Sequence, residues 1–265
     1  MSFLDHLEEL RMHIIRSVIA ILAFAVLAFI NNDILFDQIL FGPKRIDFWT
    51  YRALGDLGQM IYGDDRLVIK EFGFDIINIT MAGQFTSHMF ISIIAGAILA
   101  FPYILFEVWR FIKPALNAKE KNNTTGLVFY GTLLFLAGLL FGYYFLSPIS
   151  VNFMGSYTVS DSIRNQITLS SYLNFVATLS FGSALLFELP MVVYFLAKVG
   201  VLTAEFMRKY RRYAVVIILL ISAIVTPPDI ASQVLMTIPI YGLYELGIFI
   251  AARVERKNAL KNKTL

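Results

Sequence analysis

The stretch AVVIILLISAIVTPPDIASQVLMTIPIYGLYELGIFI, residues 214–250, is apolar almost throughout and is interrupted by Thr226, Pro227, Pro228 and Asp229. Proline fixes φ and lacks a backbone N–H, so this tetrapeptide predicts a turn between two helices, residues 214–225 and 230–250. The first helix has only 12 residues, which cover roughly 18 Å against about 30 Å of bilayer hydrocarbon. We therefore expect the bilayer to thin locally around it.

Four further apolar runs lie upstream, each close to the roughly 20 residues that a helix needs to cross a bilayer. The chain of 265 residues is 58% hydrophobic, and its mean hydropathy is +0.69. These values predict an all-α integral membrane protein, a single domain with six transmembrane helices of which the last two are short. The predicted helices are residues 14–30, 88–106, 126–146, 172–199, 214–225 and 230–250, with a small extracytoplasmic cap at 33–84 and a cytoplasmic tail at 252–265.

Basic residues are divided unequally between the two sets of loops. Of the 22 lysines and arginines, 16 lie on the side of the two termini, and the other side has Arg164 and five residues in the long 33–84 segment. The positive-inside rule counts long loops little, so both termini are predicted to be cytoplasmic. The helix at residues 14–30 is expected to stay in the mature protein and not to be cleaved as a signal peptide, because acidic residues precede it and no small-x-small cleavage site follows it.

The composition argues against most chemistry. The chain has no cysteine and only three histidines, which excludes disulfides and thiolate metal sites. No HExxH motif, aspartyl pair or serine–histidine constellation is visible, so we expect no enzyme, no metal and no cofactor. The basic residues lie between apolar runs, which indicates membrane orientation and not nucleic-acid binding.

An acidic side chain inside the fourth predicted helix is the strongest single candidate. Glu188, in the motif FELP, lies about ten residues before Lys198. An ionisable group at that depth is costly and usually faces a cavity or a partner, so a functional role is favoured over a structural hydrogen bond. Gln233, Glu245 and Glu107 are weaker candidates, and the last two are expected to snorkel to the interface or to meet a loop lysine.

Two cytoplasmic segments carry further polar residues. Before the first helix, an apolar face that includes Leu7 and Ile14 opposes a polar face that includes Glu9, His13 and Arg16. Glu9 is expected to point away from whatever the apolar face packs on, either as part of a solvated surface or as a binding residue. Residues 109–121, WRFIKPALNAKEK, have the same two interpretations: a basic interfacial anchor or a site.

Together these motifs resemble the TatC family, the C subunit of the twin-arginine protein translocase, along essentially the whole chain. The resemblance rests on HLEELR at 6–11, FPYILFEVWRFIKPAL at 101–116 followed by Glu120, FELP at 187–190, and TPPDIASQVLMTIPIYGLYELGIF at 226–249. It implies a cupped arrangement of six helices in a bacterial-type inner membrane. It also implies a receptor for twin-arginine signal peptides on folded cargo, which works with single-span TatA/TatB-type subunits and the protonmotive force; self-association stays open.

The resemblance also assigns residues. It implies a signal-peptide site and a set of intramembrane polar positions that meet partner helices: Glu9, Arg11, Phe111 and Glu120 for the first, and Glu188, Gln233 and Asp229 for the second. Where basic, aromatic and histidine side chains are common in the family, this chain has His13, Asn117 and Lys119. The alternative from another class is a proton-coupled transporter of a small solute with Glu188 as its proton site. It would predict inverted repeats, which the sequence does not show.

Overall fold

A computed structural model of the chain describes residues 3–64, 69, 72–112, 124–160, 162–226 and 230–262. This part of the chain is mainly helical. Its helices are α1 (Phe3–Ile30), α2 (Trp49–Tyr62), α3 (Gly83–Ile112), α4 (Thr124–Phe141), α5 (Ser147–Ser156), α6 (Leu169–Leu186), α7 (Leu189–Val199), α8 (Ala204–Lys209), α9 (Arg211–Val225) and α10 (Ile230–Asn262). Two π-helical segments, Asp33–Leu40 and Gly142–Leu146, a 3-10 turn at Gly42–Lys44, and the strands β1 (Phe74–Ile77) and β2 (Asn165–Thr168) complete them.

Five helical segments of the described chain are long and apolar enough to cross a membrane: Leu7–Ile30, Gly83–Ile112, Gly126–Ser156, Leu169–Val199 and Ser232–Lys257. Helix α9 has 15 residues and covers only about 22 Å. Its last residue, Val225, packs against Gly182 of α6. Gly182 lies about 20 Å along α6 from Leu169, the first residue of that helix. Helix α10 continues to Asn262, so the predicted tail at 252–265 is helical over its described part.

Helices α1 and α3 pack closely because small residues line one face of α3. Ser92, Gly96 and Ala100 are all buried and follow one another at intervals of four. A Cβ atom on Gly96 would lie 2.5 Å from the Ile21 carbonyl oxygen and 2.6 Å from the Ala25 nitrogen. The two backbones are therefore in direct contact, as small residues allow between membrane helices.

The predicted fourth helix is interrupted. Phe187 and Glu188 form a turn between α6 and α7, and Pro190 occupies the first turn of α7. Proline has no N–H to continue the hydrogen bonds of a preceding helix, but it is well suited to a first turn. Glu188 consequently lies at the start of a new helix and not within a continuous one.

The segments at the end of the bundle opposite the chain termini are joined by a short parallel ladder that the sequence did not predict. Strand β1 follows α2, strand β2 precedes α6, and Phe74 pairs with Asn165 at the start of the register. The Tyr51 hydroxyl is buried 2.6 Å from the Pro43 carbonyl oxygen and 2.9 Å from that of Pro148. Burial raises the pKa of Tyr51 well above its ordinary value. The cap is thus tied to the ends of the spanning helices.

The first and the last described parts of the chain lie at the same end of the bundle. Helix α1 is antiparallel to α3, so its first residues lie beside the last residues of α3. Near that end, the ring of Trp109 lies 5.2 Å from the ring of Phe195 on α7. The N–H of Ala204, just after α7, donates to Glu255 near the end of α10 at 2.8 Å. This common end, which the sequence predicts to be cytoplasmic, is called the inner end below.

Candidate functional site

The polar face of α1 is turned towards α3. The side chain of His13 is only 12% exposed, and Glu9 is half-buried with its Oε2 atom fully buried. Leu7 and Ile14, on the apolar face, are 45% and 53% exposed. At this end of α1 the apolar face is therefore exposed, and the polar face, which the sequence left open as a solvated or a binding surface, packs on α3 at His13. The physical reason is that α3 supplies a buried acceptor, whereas lipid receives the apolar side chains.

That acceptor is Glu107, which is 2% exposed. Its Oε2 accepts a hydrogen bond from Nδ1 of His13 and lies 3.9 Å from Nη1 of Arg16. Tyr103, one turn earlier on α3, interacts with the same carboxylate. The sequence-based expectation that Glu107 snorkels to the interface is wrong, because its carboxylate is buried against α1. The lysines that follow α3, Lys113, Lys119 and Lys121, lie outside the described residues.

Phe111 ends the same face of α3. Its ring centroid lies 6.0 Å from that of the His13 imidazole, in an edge-on arrangement at 67°. Arg11 is exposed and, two residues beyond Glu9, lies on the other side of the helix. Glu120 falls among residues 113–123, outside the described part of the chain. The structure thus brings Phe111 and His13 together, with Glu9 one helical turn before His13 on the same face of α1. It provides no geometry for Glu120.

The Glu9 carboxylate is the incompletely satisfied member of this group. Its Oε2 atom is buried and has no hydrogen-bond partner among the described residues. A buried acceptor without a partner costs about 1–3 kcal/mol, and more when it is charged. The arrangement therefore suits a donor that comes from outside the described part of the chain.

A second unpartnered carboxylate lies within the membrane-spanning helices. Oε1 of Glu188 is buried and has no hydrogen-bond partner among the described residues. A Cβ atom on Gly131 would lie 3.5 Å from Oε2 of Glu188 and 3.1 Å from Cε of Met191, which places the carboxyl group between α4 and α7. Oγ1 of Thr132, the next residue on α4, is also buried without a partner in the described chain. Polar atoms left in this way inside a bundle mark a place for another polar group.

The remaining predicted positions lie around α9 and α10. Nε2 of Gln233 donates to the carbonyl oxygen of Leu219 at 3.2 Å and so connects α10 to α9. Asp229 lies outside the described residues. Glu245 accepts a hydrogen bond from Arg211 at 2.7 Å, so its cationic partner is an arginine at the start of α9 where a loop lysine was expected.

Comparison with known proteins agrees with this architecture. The family model described as TatC, Sec-independent protein translocase protein, matches residues 5–239. The TatC protein of Blattabacterium sp. subsp. Periplaneta americana is 37% identical over 260 residues, which cover 97% of both chains. The TatCy protein of Bacillus subtilis is 31% identical over 257 residues, which cover 97% of this chain and 91% of that protein.

Two crystal structures are also similar, both described as the twin arginine translocase receptor TatC. One has 31% sequence identity and a TM-score of 0.68, and covers 94% of this chain and 99% of its own. The other, in DDM, has 32% identity and a TM-score of 0.69, and covers 93% and 99%. These neighbours are six-helix membrane proteins, which confirms that the chain has an all-α membrane fold. The match favours protein translocation over transport of a small solute, and it is to translocase components and not to enzymes. This chain belongs to the TatC family of Sec-independent protein translocase proteins.

Proposed function

We propose that this chain is the receptor subunit of a twin-arginine translocase and that Glu9 binds an arginine of the signal peptide. The similarity to solved twin-arginine translocase receptors supports the first part. The observation that carries the second is the buried, unpartnered Oε2 atom of Glu9 at the inner end of α1.

The chemistry of arginine fits this carboxylate. A guanidinium group stays charged at all relevant pH values, and its planar fork can bind a carboxylate through two parallel hydrogen bonds. A partly shielded pair is stronger than an exposed one, which typically contributes less than about 1 kcal/mol. Two arginines call for more than one carboxylate, and the proposed second carboxylate is that of Glu120, in the segment after α3.

The test is the affinity of a twin-arginine signal peptide for the full chain in lipid nanodiscs, with Glu9→Gln as the variant. Removing a hydrogen bond to a charged group costs about 1.5–3 kcal/mol, so we expect binding to weaken about tenfold to 150-fold. Glu8→Gln is the matched control, because Glu8 is the preceding acid and is exposed. A twin-lysine peptide should bind both proteins weakly, since an ammonium lacks the planar fork.

Equal loss of affinity in the Glu8 and Glu9 variants would show that only the overall negative charge matters. Unchanged binding by Glu9→Gln would contradict the role of Glu9 directly.

We further propose that Glu188 receives a polar side chain from the transmembrane helix of a single-span TatA/TatB-type subunit. The unpartnered Oε1 of Glu188, beside Gly131 and Thr132, supports this role. Gln233 and Asp229 are proposed as neighbouring polar positions for the same partners. Glu188→Ala should reduce site-specific crosslinking to the single-span subunits, whereas Glu245→Ala, which removes a carboxylate that already has an arginine partner, should not. Normal crosslinking and cargo export by Glu188→Ala would contradict the proposal.

The proposed location is the inner membrane, with both termini on the cytoplasmic side. Cargo export is proposed to be driven by the protonmotive force. The chain has no cysteine, so single cysteines can report sidedness without background. In intact cells, a membrane-impermeant maleimide should label Val159→Cys, in an exposed turn, and should leave Lys257→Cys unlabelled. The reverse pattern would invert the topology and remove Glu9 from the side on which signal peptides arrive.

A further inference from the structure

We infer that His13 and Glu107 are positioning residues for signal recognition, because their hydrogen bond holds α1 and α3 in the register that places Glu9 beside Phe111. This inference rests on the proposed role of Glu9 and Phe111, and the experiment below separates the failure of one from the failure of the other.

The pair is a buried connection between segments that are remote in sequence. His13 and Glu107 are 94 positions apart, and their side chains are 12% and 2% exposed. The bond lies at the inner end, beyond the close contact at Gly96, where small residues hold the two backbones together. Separating a buried carboxylate from its partner strongly destabilises the folded protein. The pair therefore opposes sliding or rotation of α1 on α3, because either motion would separate His13 from Glu107.

The spacing on each helix connects this pair to the candidate binding residues. Glu9 precedes His13 by four residues on α1, and Phe111 follows Glu107 by four residues on α3. Residues four apart lie one above the other on the same face of a helix. One helical turn from the His13–Glu107 bond towards the inner end therefore lies Glu9 on α1 and Phe111 on α3. The edge-on contact of the His13 and Phe111 rings is the direct link between the two layers.

The two carboxylates at this end have different roles because their surroundings differ. Glu107 is almost fully buried, and it already has His13 as a hydrogen-bond partner. Oε2 of Glu9 has no partner among the described residues. A guanidinium group from a peptide can therefore be received by Glu9, whereas Glu107 acts through the position of α1. Arg16 is 42% exposed and its Nη1 lies 3.9 Å from Glu107, so it adds a weaker, solvent-exposed electrostatic interaction to the His13–Glu107 pair.

The experiment measures binding of a twin-arginine signal peptide to the full chain in nanodiscs. We expect His13→Ala and Glu107→Ala each to weaken binding about tenfold or more, since small misplacements of a binding group have effects of this order. His13→Asn, which keeps a donor near the position of Nδ1, should bind within about threefold of the unsubstituted chain, and the exchanged variant His13→Glu with Glu107→His should recover affinity relative to either alanine variant. The matched control is Arg211→Ala with Glu245→Ala, which removes another interhelical ion pair and should leave binding unchanged.

A distance measurement supplies a readout that general loss of stability would not reproduce. Spin labels at Leu7→Cys and Val108→Cys, both exposed positions on α1 and α3, should show one narrow distance distribution. We expect His13→Ala to broaden or shift it, and His13→Asn and the control pair to leave it narrow.

The outcomes distinguish the two proposals. Weak binding by Glu9→Gln together with normal binding by both alanine variants would overturn the positioning role and leave the proposed function intact. Normal binding by Glu9→Gln would instead remove the proposed function. Weak binding by the alanine variants with an unchanged spin-label distance, or without recovery in the His13→Asn and exchanged variants, would also overturn the inference.

Discussion

Replacing Gly96 by alanine tests the close contact of α1 and α3. The added Cβ would lie 2.5 Å from the Ile21 carbonyl oxygen and 2.6 Å from the Ala25 nitrogen, whereas ordinary contacts begin at 3.4 Å. Both opposing atoms belong to the α1 backbone and cannot rotate away, so the helices must separate by about 1 Å locally. Overpacking of this kind costs about 1–3 kcal/mol. The free energy of unfolding, measured from denaturant titrations in detergent by circular dichroism, should fall by that amount.

Gly242→Ala is the matched control. Gly242 lies inside α10, and a Cβ atom there would meet nothing within 4 Å. Because alanine is a better helix former than glycine by up to about 1 kcal/mol, this variant should be unchanged or more stable. Equal stability of the Gly96 and Gly242 variants would refute the argument that backbone contact between α1 and α3 depends on a missing side chain. Signal-peptide binding should fall together with stability only in the Gly96 variant, because Glu9 is carried by α1.

Three further changes probe the cap and the helix ends, each by its effect on the free energy of unfolding. Tyr51→Phe should cost about 1–2 kcal/mol at neutral pH, because the buried hydroxyl lies between two backbone carbonyls. Since burial raises the pKa of Tyr51, the unfolded chain ionises first, stability should fall as pH rises above about 10, and the variant should show a shallower fall. Thr168→Ala should cost about 1 kcal/mol, because the Thr168 hydroxyl accepts from the Ser171 N–H and caps α6; no loss would show that the cap is dispensable. Gln233→Leu should cost about 1 kcal/mol through its bond to the Leu219 carbonyl, and a far larger loss would indicate a role beyond that bond.

Periodicity alone could not decide what the polar face of α1 contacts. Glu9, His13 and Arg16 share a face, and a polar face at a membrane surface is usually solvated. In the structure His13 on this face meets Glu107 of α3, while Leu7 is exposed. The signal that would have helped is a carboxylate at the end of α3, which becomes informative only once α3 is known to pack against α1.

The break in the helix before α7 could be inferred from the sequence more readily than the position in which it leaves Glu188. Pro190 indicates disturbance of a helix at a nearby residue. That the break leaves the Glu188 carboxyl group between α4 and α7, beside Gly131, depends on how α4 packs and is not encoded near Glu188 itself.

The sequence by itself determined that this is a helical membrane protein, where its long apolar helices lie, that a segment with two prolines separates the last two, and which family it resembles. Hydropathy, proline and basic residues act locally along the chain, so these properties can be obtained without knowing what packs on what. Only the tertiary structure decided which face of α1 is buried, that Glu107 pairs with His13 while Oε2 of Glu9 stays unpartnered in the described chain, and that β1 pairs with β2. Each of these depends on contacts between segments distant in sequence, and in a bundle the side chain that a residue meets is set by the helix that happens to lie beside it.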